Sequence, residues 1–256
     1  METAKIQQLA NEYQRLAKGV INFERYTWYA ISHHSTAIEG STLTEKQSIE
    51  LLEFGKTAAK KPIEDHLMLL DYHNALKYTL QAATCRKPVI YVSADLLRTI
   101  AAKVKLNTGE IVNTVLGTFD TAKGDFRLCS VRAGSHLFPD CRKVPDMVKK
   151  LCNSITADMM KAKTFEEKCN LAFRAHFELV TIHPFGDGNG RTSRLLMNFI
   201  QAHFSLPLSI VYKQDRLKYL EALESARKKE DISPFLKFMY SQYVKFMKEE
   251  IVKLKK

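Results

Sequence analysis

No stretch of this sequence approaches the ~20 consecutive apolar residues that a membrane helix needs. The opening run METAKIQQLANEYQRLAKGV has no apolar segment of the kind a secretory signal carries. These absences predict a soluble, cytoplasmic protein with no membrane partner. Cysteine is scarce: Cys85, Cys129, Cys141, Cys152 and Cys169 are an odd five, and no two form a CxxC pair. That argues against a disulfide framework or a structural zinc site. Free thiols in a reducing compartment are expected instead. With ten glycines and seven prolines in 256 residues, and no repeat, low-complexity tract or linker, long structureless loops are not expected. Lysine and arginine exceed the acids by 39 to 28, a net charge of +11. The basic residues are scattered among acids and no DNA- or RNA-binding motif is present, so no nucleic-acid partner is expected. A solvated surface with a phosphate-binding site accounts for the excess.

What is present is helical periodicity. Ile6, Leu9, Tyr13, Leu16 and Val20 recur at spacings of three and four and predict a helix over 4–32. Thr44 and Gln47 have capping-box spacing ahead of a short helix to 54. Further helices are predicted over 63–85 and 93–105. The stretch 108–139 differs, with Gly109, Gly117, Gly124 and Gly134 around two β-prone runs, 111–116 and 126–131, that predict a small hairpin. Helices resume over 144–160. Thr164 and Glu167 then open an apolar helix over 165–182, a second begins near Arg191, and two more cover 213–228 and 234–254. Trp28, Tyr26 and Tyr29 are expected in the core, and most of the histidines outside the motif below are expected at the surface or as satisfied core residues.

Between the two most apolar helices lies HPFGDGNGRTSR, residues 183–194. Gly186, Gly188 and Gly190 let the backbone turn tightly and bring N–H groups to an anion. The following helix adds its positive N-terminus, and Arg191 and Arg194 add two guanidinium forks suited to phosphate. Asp187 is the only loop carboxylate and a natural Mg²⁺ ligand beside phosphates. His183 ends the preceding helix and can serve as a general base; Phe185 is expected to anchor the loop in the core. An EF-hand reading fails, because position six from Asp187 is Thr192 and position twelve is Asn198. Neither GxxxxGK(S/T) nor HExxH occurs.

The motif resembles the Fic family signature HxFx(D/E)GNGRxxR at every defined position, and the likeness extends over most of residues 30–240. GDFR at 124–127, then Ala133, Gly134, Ser135 and His136, then Val144 and Pro145, resemble the family's target-docking flap. Tyr219 and Leu220 are similar to the segment that lines the adenine pocket. Two positions depart from the pattern: Arg227 stands where relatives often carry Asn, and Phe138 replaces the first of two common prolines. Upstream, STAIEG at 35–40 resembles the family's inhibitory motif (S/T)xxxE(G/N), with Ser35 and Glu39 as its defined residues.

The resemblance implies an all-α Fic fold: a helical bundle with a small β-hairpin flap at about 124–139. Residues 1–90 would hold the N-terminal helices and 91–256 the core, as one structural unit. It implies transfer of AMP from ATP to a Ser, Thr or Tyr hydroxyl of a target protein or of this chain, with His183 as base. Phosphates would lie on Asp187, Gly188, Asn189, Gly190, Arg191, Thr192, Ser193 and Arg194. Mg²⁺ would lie on Asp187, and the target as an extended segment along the flap. Glu39, delivered to Arg194, would occupy the guanidinium meant for the ATP γ-phosphate. Transfer of UMP, phosphate or phosphocholine, deAMPylation, a nucleotide-sensing module and a homodimer all stay open.

Overall fold

The computed structural model describes residues 3–255 apart from 86, 88, 90 and 135. Ten α-helices carry it: α1 (Thr3–Ala17), α2 (Phe23–Ile38), α3 (Glu45–Phe54), α4 (Ile63–Thr84), α5 (Ala94–Val104), α6 (Val144–Lys161), α7 (Phe165–Ile182), α8 (Asn189–His203), α9 (Arg216–Lys229) and α10 (Ser233–Leu254). The capping boxes form as the sequence requires. Thr44 and Gln47 close the start of α3, and Thr164 and Glu167 that of α7, each pairing side chain with backbone in both directions.

The helix predicted over 4–32 is two helices. The chain leaves α1 through Gly19 (φ +81°) and enters α2 through Asn22 (φ +62°), both left-handed. Val20, which extended the apolar pattern, is 45% exposed, and Ile21 after it 85%. The periodicity ran on because Val20 falls one turn after Leu16, while the turn chemistry of Gly19 and Asn22 decided the backbone.

One buried apolar cluster draws on α1, α2, α4, α5, α6, α7, α8, α9 and α10. Helix α8 lies at its heart: Leu195, Leu196, Phe199 and Ile200 are wholly buried, packed between α7, α4 and α5. A helix apolar on all faces needs such a position. Leu43, Leu51 and Leu69 form a second cluster that seats α3. Tyr29 is buried and Trp28 packs partly against the core, but Tyr26, expected inside, is 49% exposed.

The strand pairing differs from the expected one. β1 (Ile111–Thr114) pairs antiparallel with β2 (Gly117–Asp120), not with 126–131. Gly117 at φ +126° and the Thr114 hydroxyl donating to the Gly117 carbonyl at 2.8 Å close the turn early. Segment 126–131 instead crosses to the motif loop, where Phe126 bridges Phe185. The second hairpin, β3 (Arg132–Ala133) with β4 (His136–Leu137), is the narrow tip of the expected flap, turning through Gly134. Ser135 lies outside the described residues. All five cysteines are free thiols. No described helix is long and apolar enough to cross a membrane.

Candidate active site

The site grows from the junction of α7 and α8. His183 is the C-cap of α7 and sits at φ +53°, an uncommon conformation for a side chain of that size. Its Nδ1 lies 3.2 Å from the Val180 carbonyl. A carbonyl only accepts, so Nδ1 carries the proton and Nε2 the free lone pair. The ring stacks on Phe138, centroids 3.8 Å apart at 19°, and the Arg227 guanidinium lies 5.4 Å from the other partner of that stack, the Phe138 ring. Burial lowers the His183 pKa to about 4. The Val180 contact opposes this, Arg227 and Arg127 add to it, and Glu39 opposes it. The imidazole is therefore neutral near pH 7, the state a base needs.

The loop is tied by Asn189, whose side-chain amide accepts from the Phe185 N–H and donates to the Phe185 carbonyl, both at 2.9 Å. Phe185 is 2% exposed and anchors the turn, as expected. Gly188, left-handed at φ +80°, then opens α8 with no side-chain cap. The first N–H groups of α8 thus have no cap side chain, at the helix's positive end. Beside them Arg191 Nε and Nη1, Thr192 Oγ1, Ser193 Oγ and Arg194 Nη1 are buried without a hydrogen-bond partner. Such a density of unmet donors in one turn is what an oxyanion ligand satisfies.

Asp187 is held by cations. Its Oδ2 accepts from Lys105 Nζ at 2.6 Å and Arg191 Nη2 at 3.0 Å, and Oδ1 accepts from the Gly188 N–H at 2.6 Å. Burial pushes its pKa up, but Arg191, Lys105 and the Gly188 N–H outweigh that and hold it at about 2. Lys105, at the C-cap of α5, escaped the sequence reading. Nothing in its local pattern links it to a residue 82 positions on.

Arg194 is 3% exposed and meets α2. Its Nε donates to Ser35 Oγ at 2.7 Å, and its Nη2 to the Ser35 carbonyl at 3.0 Å and to Glu39 Oε1 at 2.6 Å. Glu39 caps the C-terminus of α2, and its side chain stays 32% exposed. The carboxylate lies against Gly190, where an added Cβ would fall 2.5 Å from Oε1. Any residue but glycine at 190 would push Glu39 away.

Other expected residues fall less simply. Tyr219 is 2% exposed, with its hydroxyl 3.1 Å from His176 Nε2, so it backs the site from the core. Leu220 beside it is 41% exposed. On the flap, Ala133 and Gly134 are exposed, and His136 is half-buried with its ring edge-on to Phe138 at 4.8 Å. Among the described residues no cluster of three or more His, Cys, Asp or Glu could hold a metal. A groove of about 620 Å³ between Tyr13, Trp28, Leu80 and Leu208 includes none of the motif residues.

Residues 91–201 match the family model described as the Fic/DOC family. A protein adenylyltransferase Fic of Culex quinquefasciatus is 32% identical over 225 residues, covering 88% of this chain and 42% of that protein. Its namesake from Aedes aegypti is 34% identical over 209 residues, covering 81% of this chain and 38% of that protein. The chain spans about two-fifths of the length of these curated relatives. The crystal structure of a Fic domain containing signalling protein from Bacteroides thetaiotaomicron has the same fold, with a TM-score of 0.82. It is 22% identical, with 98% of this chain and 96% of that one covered.

Proposed function

We propose, from the match of residues 91–201 to the Fic/DOC family model, that the chain transfers AMP from ATP to a protein hydroxyl and is held back by its own Glu39. The observation that carries the reading is the contact of Glu39 with Arg194 at 2.6 Å, directly above a turn of unpartnered donors and beside a neutral histidine.

The uncapped start of α8, Arg191 and Arg194 bind the nucleotide's phosphates. Nε2 of His183 takes the proton from a target hydroxyl, and that oxygen attacks the α-phosphorus as the bond to the β-phosphate oxygen breaks. Pyrophosphate leaves with the electron pair of that bond. Positioning and charge stabilisation supply most of the acceleration. The donor set fits Mg²⁺: a lone carboxylate, side chain 56% exposed, beside a phosphate cradle. Asp187 would hold the ion, which would neutralise phosphate charge when bound. The flap offers β3 and β4 to an extended target segment, and Leu220 lies toward the base.

With Glu39 on Arg194, the guanidinium is not free for the γ-phosphate, and the α-phosphate is then out of line. Five free cysteines accord with work in a reducing compartment. The test is incubation with labelled ATP, Mg²⁺ and a cell lysate, followed by mass spectrometry. Adducts of AMP mass on Ser, Thr or Tyr are expected. Adducts of UMP, phosphate or phosphocholine mass, given those donors instead, would replace this reading with another transfer.

A further inference from the structure

Arg127 was expected on the flap. It is instead completely buried, at 0% exposure, and among the described residues it forms no ion pair. A buried guanidinium without a counter-ion is costly unless its donors are used. Here they are: Nε donates to the His183 carbonyl at 2.7 Å, Nη1 to the Cys129 carbonyl at 2.6 Å and Nη2 to the Pro139 carbonyl at 2.6 Å. All three acceptors are main chain. Cys129 and Pro139 lie where the flap leaves the body and where it returns, and the third is the histidine itself.

The neighbouring contacts run the same way. The Arg127 N–H donates to the Pro184 carbonyl at 3.0 Å, and Phe126 bridges Phe185. Phe138, one residue before Pro139, stacks on the His183 ring and donates its N–H to the Val131 carbonyl at 3.1 Å. The His183 carbonyl also belongs to the C-terminal end of α7, where carbonyls lack helical partners and a cation is favoured. One guanidinium therefore fixes both roots of the flap and the peptide whose left-handed geometry aims the imidazole.

We propose that Arg127 is a positioning residue for the transfer reaction, setting the flap and His183 in one register so that a hydroxyl carried on the flap arrives at Nε2. This rests on the transfer reading above. Lysine cannot replace it, because one ammonium lacks the planar fork that spans three carbonyls. The charges facing His183 are Arg227 from α9, Arg127 from the flap root and Glu39 from α2, with His136 on β4 beyond Phe138.

The experiment compares Arg127→Gln and Arg127→Lys with their parent, each made with and without Glu39→Gly. Self-labelling by α-labelled ATP is measured against ATP concentration, with unfolding temperature recorded for every protein. In the Glu39→Gly series both variants should lose about 100-fold in the rate at saturating ATP, as misplacement by about 1 Å can cause, with the half-saturating ATP concentration little changed. Separately, the His183 ring signal, identified by its absence in His183→Ala, is titrated by NMR. Its pKa should move up in Arg127→Gln, which loses both a nearby positive charge and the seal of the flap root, and move less in Arg127→Lys.

Folded variants with the parent's rate would overturn the proposal. So would a loss accounted for by the unfolded fraction, with His183 titrations that superimpose. If Arg127→Gln does not fold, Arg127→Lys decides by the same two readings. If the Glu39→Gly parent incorporates no AMP, the transfer reading fails. The NMR titration, which needs no transfer, still decides whether Arg127 sets the histidine.

Discussion

Replacing Glu39 with glycine should switch the protein on, and the structure sets the scale. Arg194 keeps its two bonds to Ser35 in the variant and loses only the 2.6 Å contact to the carboxylate. A hydrogen bond to a charged group is worth about 1.5–3 kcal/mol, and Glu39, 32% exposed, belongs toward the lower end of that range. If opening means breaking this one contact, the open form of the parent is populated at roughly one part in 10 to one part in 150. Glu39→Gly should then raise self-labelling with ATP by about 10- to 150-fold. The same loss should lower the unfolding temperature by roughly 3–12 °C for a chain of this size. ATP at 100 times its dissociation constant should restore about 2.7 kcal/mol. Adding Arg194→Ala should cancel the gain in rate, because the γ-phosphate then has no fork to meet. Equal incorporation by parent and Glu39→Gly would refute the reasoning and leave Glu39 as a helix cap. Activation that survived Arg194→Ala would refute the route through the guanidinium.

His183→Ala in the Glu39→Gly background should cut transfer by ~10²–10⁴ while ATP still raises the unfolding temperature; near-normal adduct formation would end its role as base. Asp187→Ala should shift the Mg²⁺ titration of activity to higher concentration, and overlaid titrations would remove Asp187 from the metal. Acid should destabilise the fold early. His33, His73 and His183 have pKa values lowered to about 4, and His34 to about 3, in each case chiefly by burial. Their unfolded value is about 6.5, so the unfolded chain binds more protons below that pH. The stability these groups contribute is present above about pH 6.5 and lost as pH falls toward 4, each costing at most about 2 kcal/mol at pH 5. Urea midpoints measured from pH 7 to 5 should fall steeply, and a flat profile would contradict the buried neutral histidines.

The site was more legible than its frame. Motif 183–194 carries its chemistry in contiguous residues; the SxxxEG spacing pointed to Glu39 as a partner of Arg194, which lies 2.6 Å from it across 155 positions, while the Ser35 bond to Arg194 was not foreseen. Capping boxes were legible because they are local hydrogen bonds written in four residues. What escaped depends on partners distant in sequence. Lys105 reaches Asp187 only because α5 packs on α8. Tyr219 faces inward, its hydroxyl 3.1 Å from His176 Nε2 on α7. The hairpin was mispaired because β-prone segments do not name their partners: 126–131 looked like a strand but its main chain serves Pro184 and Phe185. Phe138 stood out in sequence as a departure, yet only the fold shows that its ring covers the histidine.

The contact of α2 with Arg194 divides into a fixed half and a movable half. Ser35 is 3% exposed, inside the last turns of α2, and its hydroxyl and carbonyl both hold Arg194. That helix is pinned in turn: His33 meets the Ser48 hydroxyl at 2.9 Å, His73 meets Ser32 at 3.1 Å, and Arg216 donates to the Ile38 carbonyl at 2.7 Å. Glu39 lies one residue past the helix, followed by Gly40 at φ +112°, and reaches Arg194 by its side chain alone. Withdrawing the carboxylate therefore needs a rotamer change at a helix end, whereas withdrawing Ser35 would break α2 from the body. On the proposed reading, release of Glu39 should be a local event that leaves Arg194 held in place by Ser35. A fork already oriented by two bonds loses little further side-chain freedom when a phosphate oxygen takes the position of Glu39 Oε1.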